Sequence, residues 1–452
     1  MSWTRELEAL LGATVLTSDP DVLAAFTRDQ APLAPAGRPQ ALVRARNADD
    51  VVVTLRFADQ RRIPVVTRAA GTGLAGGANA IDGCILLSVA RLDAIVRIDE
   101  AARLAVVQPG VLNAVLAREA AARGLFYAPD PASREISTIG GNIATNAGGS
   151  CCLKYGVTGD HVAALEVVLA DGTRIRTGAL TKKNVAGYDL TRLLVGSEGT
   201  LGVIVEATVR LLRAPRPAST LVAFFDSMEA AVAAILEMDG RVELSLLEVM
   251  DQTTVRAVDE LTQMELDTEA AAFVLLQSDA VDAAAVMASC EEICIRHHAR
   301  SALRTEDAEE GRQLLLARRM ALPALEKKGV TLLDDVVVPK PQLPEMFRRI
   351  GRAAVDNGVV IGTFGHAGDG NLHPTIIFQA GDERSRAAAG AAFDAIVRDA
   401  LALGGSISGE HGIGSLKPGY LTAMLGATER ELMRRIKASF DPRGILNPGR
   451  AI

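Results

Sequence analysis

The stretch that decides the fold is TIGGNIATNAGG, residues 138–149. It combines four glycines with two asparagines and carries no charged side chain. Because side chains are nearly absent, the backbone of this segment can approach a flat or extended ligand closely. A flexible linker would also be glycine-rich, but linkers rarely contain so little charge or lie so closely between predicted strands. The segment therefore predicts a ligand-carrying glycine loop in a β-rich domain.

Residues 71–76 (GTGLAG) match the G-x-G-x-x-G spacing of a dinucleotide-binding turn. That motif requires a helix directly after it, so that a pyrophosphate lies at the helix N-terminus. Residues 77–83 (GANAIDG) and a predicted strand follow instead, so we reject a Rossmann site, and Asp93 near the ribose-acid offset carries little weight. A nest of backbone N–H groups for an anion and an ordinary tight loop both stay open. Residues 196–204 (GSEGTLGVI) again place glycines before a strand, and three such segments suggest one large ligand threaded along backbone.

Length and composition indicate a multidomain protein without a nucleic-acid or membrane signature. The chain has 452 residues, more than a single hydrophobic core usually holds, and 49% of them are hydrophobic. Its formal net charge of −7 argues against a general nucleic-acid binder and a polybasic membrane anchor. No apolar run reaches the about 18 residues of a transmembrane helix, and residues 1–8 lack the apolar segment of a secretory signal. Five cysteines do not make a disulfide framework, so we expect a cytoplasmic protein, peripheral to the inner membrane only through partners.

The residue patterns predict an α+β protein that breaks near residue 214. Predicted strands before the break are residues 41–44, 63–67, 84–88, 104–108, 162–169, 173–177 and 203–212, and predicted helices are 49–62 and 112–123. Residues 213–217 (RAPRP) end regular structure, because proline at this density supports neither helix nor strand. Strands at 221–225, 244–249 and 272–277 then alternate with helices that begin at 228, 252 and 280, a pattern typical of an antiparallel sheet with helices. We expect an N-terminal helical segment (1–37), a ligand-binding domain (38–214), an α+β substrate or cap domain (215–405) and a C-terminal segment (406–452) that returns to the ligand-binding domain.

Two histidine motifs are the strongest candidates for chemistry. One is GHAGDGNLH, residues 365–373, and the other is SGEHGIG, residues 408–414. Neither follows a helical period, and the flanking glycines leave room for a ligand. His366, His373 and Glu410 would make a 2-His-1-carboxylate set suited to a divalent ion with open positions. His411 would then act as a base near neutral pH. A single histidine is more often a core or surface residue, but the combined motifs favour a functional site.

Other chemistry-bearing residues have simpler interpretations. Cys290, Cys294, His297 and His298 lie at helical spacing, and without a matching ligand pair we interpret them as an exposed helix face or as packing. Cys151-Cys152 are explained by small buried thiols as well as by a cofactor contact. Asp334-Asp335 precede an apolar strand, which favours a turn over a paired-carboxylate acid/base. For His161 a loop or packing role suffices.

Assembled, these motifs resemble the PCMH-type FAD-binding flavoproteins of the vanillyl-alcohol oxidase superfamily, specifically the branch that acts on D-2-hydroxy acids. That branch holds the FAD subunit of glycolate oxidase, D-lactate dehydrogenase and D-2-hydroxyglutarate dehydrogenase. The resemblance covers nearly the whole chain and is carried by residues 68–79, 129–155, 182–190, 196–204, 440–448 and both histidine motifs. It implies a two-subdomain PCMH-type FAD-binding domain over 38–214 and an α+β cap domain with an antiparallel sheet.

The resemblance also implies where FAD binds. Covalent members attach the flavin through a loop histidine or cysteine, and residues 68–79 contain no histidine, so we expect non-covalent FAD. Ala69 departs from the glycine that the family often has, which we expect to tighten the loop without abolishing binding. The implied cofactor-binding residues are Ala69, Ala70, Gly71, Thr72, Gly73, Leu74, Pro129, Asp130, Ser133, Thr138, Gly140, Gly141, Asn142, Asn146, Gly148, Gly149, Tyr155, Glu198, Gly202, Val203, Ile204 and Asn447.

For the reacting groups, the family places a divalent metal, zinc or manganese, on His366, His373 and Glu410. His411 matches its catalytic base. Arg318, chosen from the segment LLARR at 315–319, matches the arginine that clamps the substrate carboxylate. We expect Asn371 to orient the substrate hydroxyl.

The expected activity is FAD-dependent oxidation of a small D-2-hydroxy acid, D-lactate or glycolate, to the 2-oxo acid, with hydride transfer to the flavin. The D-2-hydroxyglutarate enzymes carry a lysine shortly before the strand at 336–338, and this chain has Leu333-Asp334 there, which weakens the case for a distal carboxylate. Alternatives are D-2-hydroxyglutarate dehydrogenase, the FAD subunit of a multi-subunit glycolate oxidase, an alditol oxidase or cell-wall precursor reductase of the same fold, a non-catalytic flavin subunit and a metallohydrolase. The electron acceptor, a protein, a quinone or oxygen, stays open, as does the choice between a homodimer and partner redox subunits. An iron–sulfur cluster would need a separate chain, because no cluster-binding cysteine pattern occurs here.

Overall fold

The computed structural model describes residues 2–452. The chain divides into two compact units, which are described separately below. The first unit comprises Met1–Gly148, Gly156–Ala214 and Glu410–Ile452, and the second comprises Gly149–Tyr155 and Pro215–Gly409. The second unit therefore includes a seven-residue segment that the sequence places inside the first.

The described residues form α-helices and two 3₁₀ turns, the latter at Lys340–Gln342 and Pro418–Tyr420. The α-helices are α1 (Trp3–Leu11), α2 (Pro20–Ala25), α3 (Ala48–Arg61), α4 (Asn113–Ala121), α5 (Ile139–Thr145), α6 (Cys152–Tyr155), α7 (Thr158–His161), α8 (Leu190–Leu194), α9 (Met228–Asp239), α10 (Gln252–Thr262), α11 (Ala283–Arg296), α12 (Ala308–Arg319), α13 (Ala321–Glu326), α14 (Leu343–Asn357), α15 (Glu383–Ala402), α16 (Leu421–Met424) and α17 (Ala427–Phe440).

The strands of the described residues, in chain order, are β1 (Leu16–Thr17), β2 (Ala41–Arg44), β3 (Val65–Arg68), β4 (Ile85–Ser88), β5 (Ile95–Asp99), β6 (Leu104–Val107), β7 (Leu125–Phe126), β8 (Val162–Val168), β9 (Arg174–Gly178), β10 (Val203–Arg210), β11 (Leu212–Arg213), β12 (Ser219–Phe225), β13 (Leu246–Asp251), β14 (Ala272–Ser278), β15 (Ala299–Thr305), β16 (Val330–Leu333), β17 (Val336–Val337), β18 (Val360–His366) and β19 (Asn371–Phe378).

The first unit begins with a small, mostly parallel sheet in the order β1-β2-β4-β3. Parallel strands are covered on both faces, which suits the uninterrupted apolar runs of β2 and β4, both almost fully buried. Helix α3 connects β2 to β3, and Asn47 caps its start by accepting the N–H of Asp50. The Rossmann motif is absent as predicted: no helix lies between β3 and β4, the segment that holds residues 71–76.

A second sheet of the first unit is antiparallel, in the order β5-β6-β10-β8-β9. Helix α5 packs on its core through Ile139 and Ile143, which lie four residues apart and share one helix face. The Thr138 side chain caps this helix by accepting the N–H of Gly141 at 3.2 Å. The glycine loop expected over 138–149 is therefore wrong for residues 139–145, where a cap and two apolar residues at helical spacing outweigh the low helix propensity of glycine.

The second unit is built on one large antiparallel sheet. Its strands run in the order β15-β12-β14-β13-β18-β19-β16, and β17 also pairs with β19. Every residue of β12 and β19 is buried, because helices pack against this sheet. The expected α+β architecture with an antiparallel sheet in this part of the chain is confirmed.

Among residues 2–452, no helix is both long enough and apolar enough to span a bilayer.

One glycine in α5 tests the close packing of the first unit. A methyl group on Gly140 would lie 2.9 Å from the Cα and carbonyl oxygen of Pro109, which is backbone that cannot yield. We expect Gly140→Ala to lower the free energy of unfolding by about 1–3 kcal/mol, the usual cost of overpacking. Gly351→Ala in α14 is the matched control, because its methyl group would meet no atom within 4 Å. That control should raise stability by about 1 kcal/mol, since alanine favours helix over glycine; equal effects in urea unfolding would contradict the packing argument.

Candidate active site

Neighbouring strands of the second unit bring four side chains to one face of the sheet. Glu248 on β13 lies directly opposite His366 on β18, and Phe364 lies opposite His373 on β19. Cross-strand partners share a face, as do residues two apart along a strand, so all four project to the same side. The rings of His366 and His373 meet edge-on, with centroids 5.2 Å apart. The β18–β19 hairpin thus turns a sequence motif into a pair of neighbouring imidazoles.

Glu248 is the charged centre of this face. It is fully buried, accepts a hydrogen bond from His366 Nδ1 at 2.7 Å and pairs with Arg318 Nε at 2.7 Å. Burial pushes the pKa of Glu248 upward, but its interactions with His366 and Arg318 outweigh that effect and hold its pKa below the ordinary value. Arg318 comes from α12 and places its guanidinium over the ring of Phe364, 4.7 Å from the centroid. Glu248 and Phe364 therefore fix this arginine from two sides.

Asp335 is a second buried carboxylate, between β16 and β17. One oxygen accepts the Asn371 side-chain N–H at 2.7 Å, and the other accepts the Ser408 hydroxyl and the Gly409 backbone N–H, each at 2.8 Å. Its carboxylate also lies 3.9 Å from His373 Nδ1. Backbone hydrogen bonds between Val337 and Ser406 continue this attachment. Asp335 consequently anchors the 406–409 segment, and Glu410 is the next residue along the chain.

The side chain of Asn371 has a defined donor and acceptor side in this arrangement. Its amide nitrogen donates to Asp335 and to the carbonyl of Val336 at 3.1 Å. Both N–H groups are thereby used within the protein, and the amide oxygen is the atom that a ligand hydroxyl can meet. Gly409 must be glycine beside it, because a methyl group there would lie 2.6 Å from the Asn371 nitrogen.

A metal-ligand arrangement is present in part within the second unit. One ring nitrogen of His366 and one of His373 lie within 4.8 Å of each other. Glu248 bonds Nδ1 of His366, which assigns the opposite ring atom, Nε2, to the side away from Glu248. Buried carboxylates commonly orient metal-binding imidazoles in this way. In the first unit, Glu410 and His411 lie side by side, with Oε1 and Nε2 3.3 Å apart.

Glu198 fixes the segment that carries His411 within the first unit. It is buried, and its two carboxylate oxygens accept the backbone N–H groups of Ile413 and Gly414, each at 2.8 Å. Burial raises the pKa of Glu198 above its ordinary value despite these hydrogen bonds. Its backbone carbonyl accepts the side-chain N–H of Asn447 at 2.5 Å, and Asn447 in turn accepts the N–H of Thr67. These two predicted cofactor residues therefore direct their side chains to the protein backbone.

The other predicted cofactor residues lie in the first unit, except for Gly149 and Tyr155. Residues 69–74 follow β3, and residues 138–146 form α5 with its caps. Gly202 directly precedes β10, and Val203 and Ile204 are the first two residues of that strand. Gly71 has φ +72°, and a side chain there would enter the Arg68 guanidinium. Ser415 and Leu416 donate their backbone N–H groups to the carbonyl of Ala75, which ties the first loop to the C-terminal segment. In the second unit, the Tyr155 hydroxyl bonds Asp279, which also pairs with Lys154 at 2.7 Å.

The remaining histidines, cysteines and carboxylates that the sequence analysis considered lie in different environments. Cys290 and Cys294 are buried, which confirms the packing interpretation, and His297 bonds Glu237 at 2.7 Å. His161 is buried edge-on against Tyr127, also a packing role. The interpretation of Asp334-Asp335 as a simple turn is wrong, because both carboxylates are buried and Asp335 organises the histidine face.

Sequence reasoning missed Glu248 altogether and undervalued Asp335. A signal for Glu248 was present in the run LSLLEVM, where one charged residue interrupts an apolar strand. A charge in such a run is costly unless it is paired, so a glutamate at this position indicates buried partners. Those partners, Arg318 and His366, lie 70 and 118 residues further along the chain, and only the tertiary pairing reveals them.

Comparison with known proteins decides the family. Residues 39–178 match the family model described as an FAD binding domain, and residues 214–451 match that of the C-terminal domain of FAD linked oxidases. The chain belongs to the FAD-linked oxidases. This FAD-linked oxidase is an FAD-binding oxidoreductase, as the sequence predicted. It is 42% identical to the glycolate oxidase subunit GlcD of Bacillus subtilis (strain 168), a match that covers 91% of this chain and 88% of the relative. It is 36% identical to a D-lactate dehydrogenase of Archaeoglobus fulgidus, over 100% and 99% of the two chains.

Solved structures share the fold of this FAD-linked oxidase. The 4-ethylphenol oxidase of Gulosibacter chungangensis superposes with a TM-score of 0.81 at 19% identity, covering 99% of this chain and 96% of that one. A p-cresol methylhydroxylase superposes with a TM-score of 0.83 at 16% identity, with the same coverage. At such low identity the likeness concerns the fold alone, and it confirms the predicted PCMH-type fold class.

The residues present in the first unit of the FAD-linked oxidase suit FAD. Residues 69–77 contain four glycines with mostly small neighbours and no charged side chain, so their backbone N–H groups can approach a pyrophosphate. The start of α5 also carries few side chains, since Gly140 and Gly141 follow Ile139, the first helical residue after the capping Thr138. Bound FAD would meet backbone donors here, without a carboxylate of either segment to repel its phosphates.

Proposed function

We propose that this FAD-linked oxidase converts a small D-2-hydroxy acid, D-lactate or glycolate, to the 2-oxo acid. The observation that carries the proposal is the placement of Arg318, whose guanidinium is fixed by Glu248 and Phe364 beside the His366–His373 pair. A buried guanidinium next to imidazoles is a site for a carboxylate that bears a neighbouring hydroxyl. The names of the relatives, a glycolate oxidase subunit and a D-lactate dehydrogenase, support the same substrate class.

In the proposed mechanism the terminal N–H groups of Arg318 bind the substrate carboxylate in a bidentate pair. The amide oxygen of Asn371 accepts a hydrogen bond from the substrate hydroxyl and so orients it, since both Asn371 N–H groups are held by Asp335 and Val336. His411 takes the hydroxyl proton as general base. FAD, when bound, supplies the acceptor for the hydride from the substrate carbon. Asp335 and Glu198 serve this chemistry indirectly, because they hold the segments on either side of Glu410 and His411.

We further propose that His366, His373 and Glu410 hold zinc or manganese. Two imidazoles and one carboxylate suit either ion, and the Glu248 contact to Nδ1 of His366 is the kind of partner that orients a metal-binding imidazole. The bound ion would supply Lewis-acid polarisation of the substrate hydroxyl.

Removal of the metal is expected to inactivate the enzyme without loss of FAD. Lewis-acid assistance contributes several kcal/mol, so dialysis against a chelator should lower kcat at least about 100-fold. Added Zn²⁺ or Mn²⁺ should restore the rate, and Mg²⁺ is the control ion because it prefers oxygen ligands over imidazole. Metal content by mass spectrometry and the flavin absorbance are measured in parallel; metal-free enzyme with full turnover would remove the ion from the proposal.

The alternative substrate D-2-hydroxyglutarate is less well supported. Its second carboxylate needs a cation, and at Leu333-Asp334 this chain offers a buried acid in the stretch where related enzymes of that activity carry lysine.

The word "subunit" in the name of the glycolate oxidase relatives supports a further proposal, that the chain passes electrons to a separate redox protein or quinone in the cytoplasm or at the inner membrane. FAD is proposed to be non-covalent, because residues 68–79 contain neither histidine nor cysteine.

A dye-linked assay tests the substrate class. Purified enzyme is supplied separately with glycolate, D-lactate, L-lactate and D-2-hydroxyglutarate, and an artificial electron acceptor reports turnover. We expect glycolate or D-lactate to give the highest kcat/KM and L-lactate to be poor. Preference for D-2-hydroxyglutarate would replace the proposed substrate, and turnover with none of the acids would refute the substrate class.

A further inference from the structure

Glu248 occupies a position that an apolar residue would fill with a smaller desolvation free energy. It lies in the middle of β13, between the buried residues Leu247 and Val249, and its side chain is fully buried. Removing a carboxylate from water costs several kcal/mol, which two good partners barely offset. An apolar residue would stabilise this strand equally well, so fold stability alone does not account for the charge.

Both partners of Glu248 are groups to which the proposed function assigns a role. One carboxylate oxygen accepts the hydrogen bond from Nδ1 of His366, and the other pairs with Nε of Arg318, both at 2.7 Å. An imidazole that donates from Nδ1 is held in the tautomer whose lone pair lies on Nε2. A guanidinium held at Nε presents its two terminal nitrogens at the opposite edge.

We propose that Glu248 is a positioning residue that couples the substrate-binding arginine to the metal-binding histidine. Its two oxygens set the tautomer of His366 and the orientation of Arg318 together, so that a carboxylate and a divalent cation are received by one preorganised pair. This inference rests on the proposed function for the roles of the two partners. It adds a residue that touches neither substrate nor metal, and whose loss impairs the binding of both.

Glu248→Gln tests the coupling at constant side-chain volume. A glutamine has one acceptor oxygen, whereas His366 and Arg318 both present donors, so one of the two contacts must fail. For Zn²⁺ titrated by calorimetry into metal-stripped, FAD-loaded enzyme, we expect a 10–100-fold loss of affinity, the range known for residues that orient metal ligands. KM for the best hydroxy acid should rise by about tenfold or more, because Arg318 loses the charged partner that orients it.

Asp251→Asn is the matched control. Asp251 ends the same strand, three residues after Glu248, and accepts the backbone N–H groups of Thr254 and Thr363, both at 2.8 Å. Its loss should lower thermal stability while leaving Zn²⁺ affinity and KM unchanged. Equal losses of Zn²⁺ affinity in both variants would show a general structural effect and overturn the positioning role.

The outcomes separate this inference from the proposed function. If wild-type enzyme oxidises none of the hydroxy acids, the proposed substrate class fails, and the Zn²⁺ titration still decides whether Glu248 orients His366. If wild type is active and Glu248→Gln keeps both its Zn²⁺ affinity and its KM, the coupling is refuted. Should Glu248→Gln not fold, long-range nitrogen–proton spectra of histidine-labelled wild type answer in its place. These should show His366 protonated at Nδ1, with His366→Asn identifying the signal, and protonation at Nε2 alone would overturn the inference.

Discussion

Replacing His411 with alanine is expected to lower kcat for the hydroxy acid by about 10²–10⁴-fold, the usual contribution of a general base. Alanine removes the imidazole but leaves the segment in place, because Glu198 holds it through the backbone N–H groups of Ile413 and Gly414 rather than through the histidine. The flavin spectrum and Zn²⁺ affinity should therefore change little. The measurement is the rate of flavin reduction in single-turnover experiments without oxygen.

His297→Ala is the control for this prediction, since His297 bonds Glu237 on a helix of the second unit and has no proposed role in catalysis. It should reduce the flavin at the wild-type rate. A His411→Ala enzyme that is equally fast would assign the proton transfer to another group. Partial recovery of the His411→Ala rate with added imidazole would support loss of a base rather than a displaced loop.

Replacing Arg318 with methionine is the second change with a large expected effect. It leaves Glu248 as a buried carboxylate that has lost its cationic partner, and breaking such a pair costs about 3–5 kcal/mol of unfolding free energy. Substrate binding should fail as well, because the bidentate contact to the carboxylate is lost. Urea unfolding measures the first effect, and the KM for the hydroxy acid measures the second.

Arg312→Met is the matched control on the same helix. Arg312 is exposed and pairs with Glu309 three residues earlier, and exposed pairs of this kind contribute about 0–1 kcal/mol. The double variant Glu248→Met/Arg318→Met should recover most of the lost stability, since replacing both members of a buried pair is close to neutral. It should remain inactive. A single Arg318→Met variant as stable as Arg312→Met would contradict the buried pair.

Local elements of the fold followed well from the sequence. The strand at residues 41–44 was predicted to the residue, and the helix at 49–62 to within one residue at each end, because periodicity and capping are encoded locally. The rejection of a Rossmann site was correct for the same local reason: the stretch after residue 76 has no helix-forming pattern before β4. The short helix α5 was missed, since four glycines suggested a loop, whereas Thr138 and the isoleucines at 139 and 143 favoured a helix in tertiary context.

The candidate site was predictable only where its members lie in one motif. His366 and His373 belong to consecutive strands of a hairpin, so a local pattern sufficed to propose that they act together. Glu248 reaches them through the β13–β18 register, a pairing between residues 118 positions apart that no local pattern encodes. The role of Asp335 was not predicted for a related reason, because its contacts with Asn371 and with the backbone of Gly409 form only in the folded protein.

The most direct measurement is the visible spectrum of the purified protein without oxygen, before and after glycolate, D-lactate and D-2-hydroxyglutarate are added separately. A flavin band that glycolate or D-lactate bleaches, with bleaching lost in His411→Ala and Arg318→Met, is the predicted result. A flavin band that none of the three acids bleaches in metal-loaded wild-type protein would contradict the proposed oxidation of small D-2-hydroxy acids.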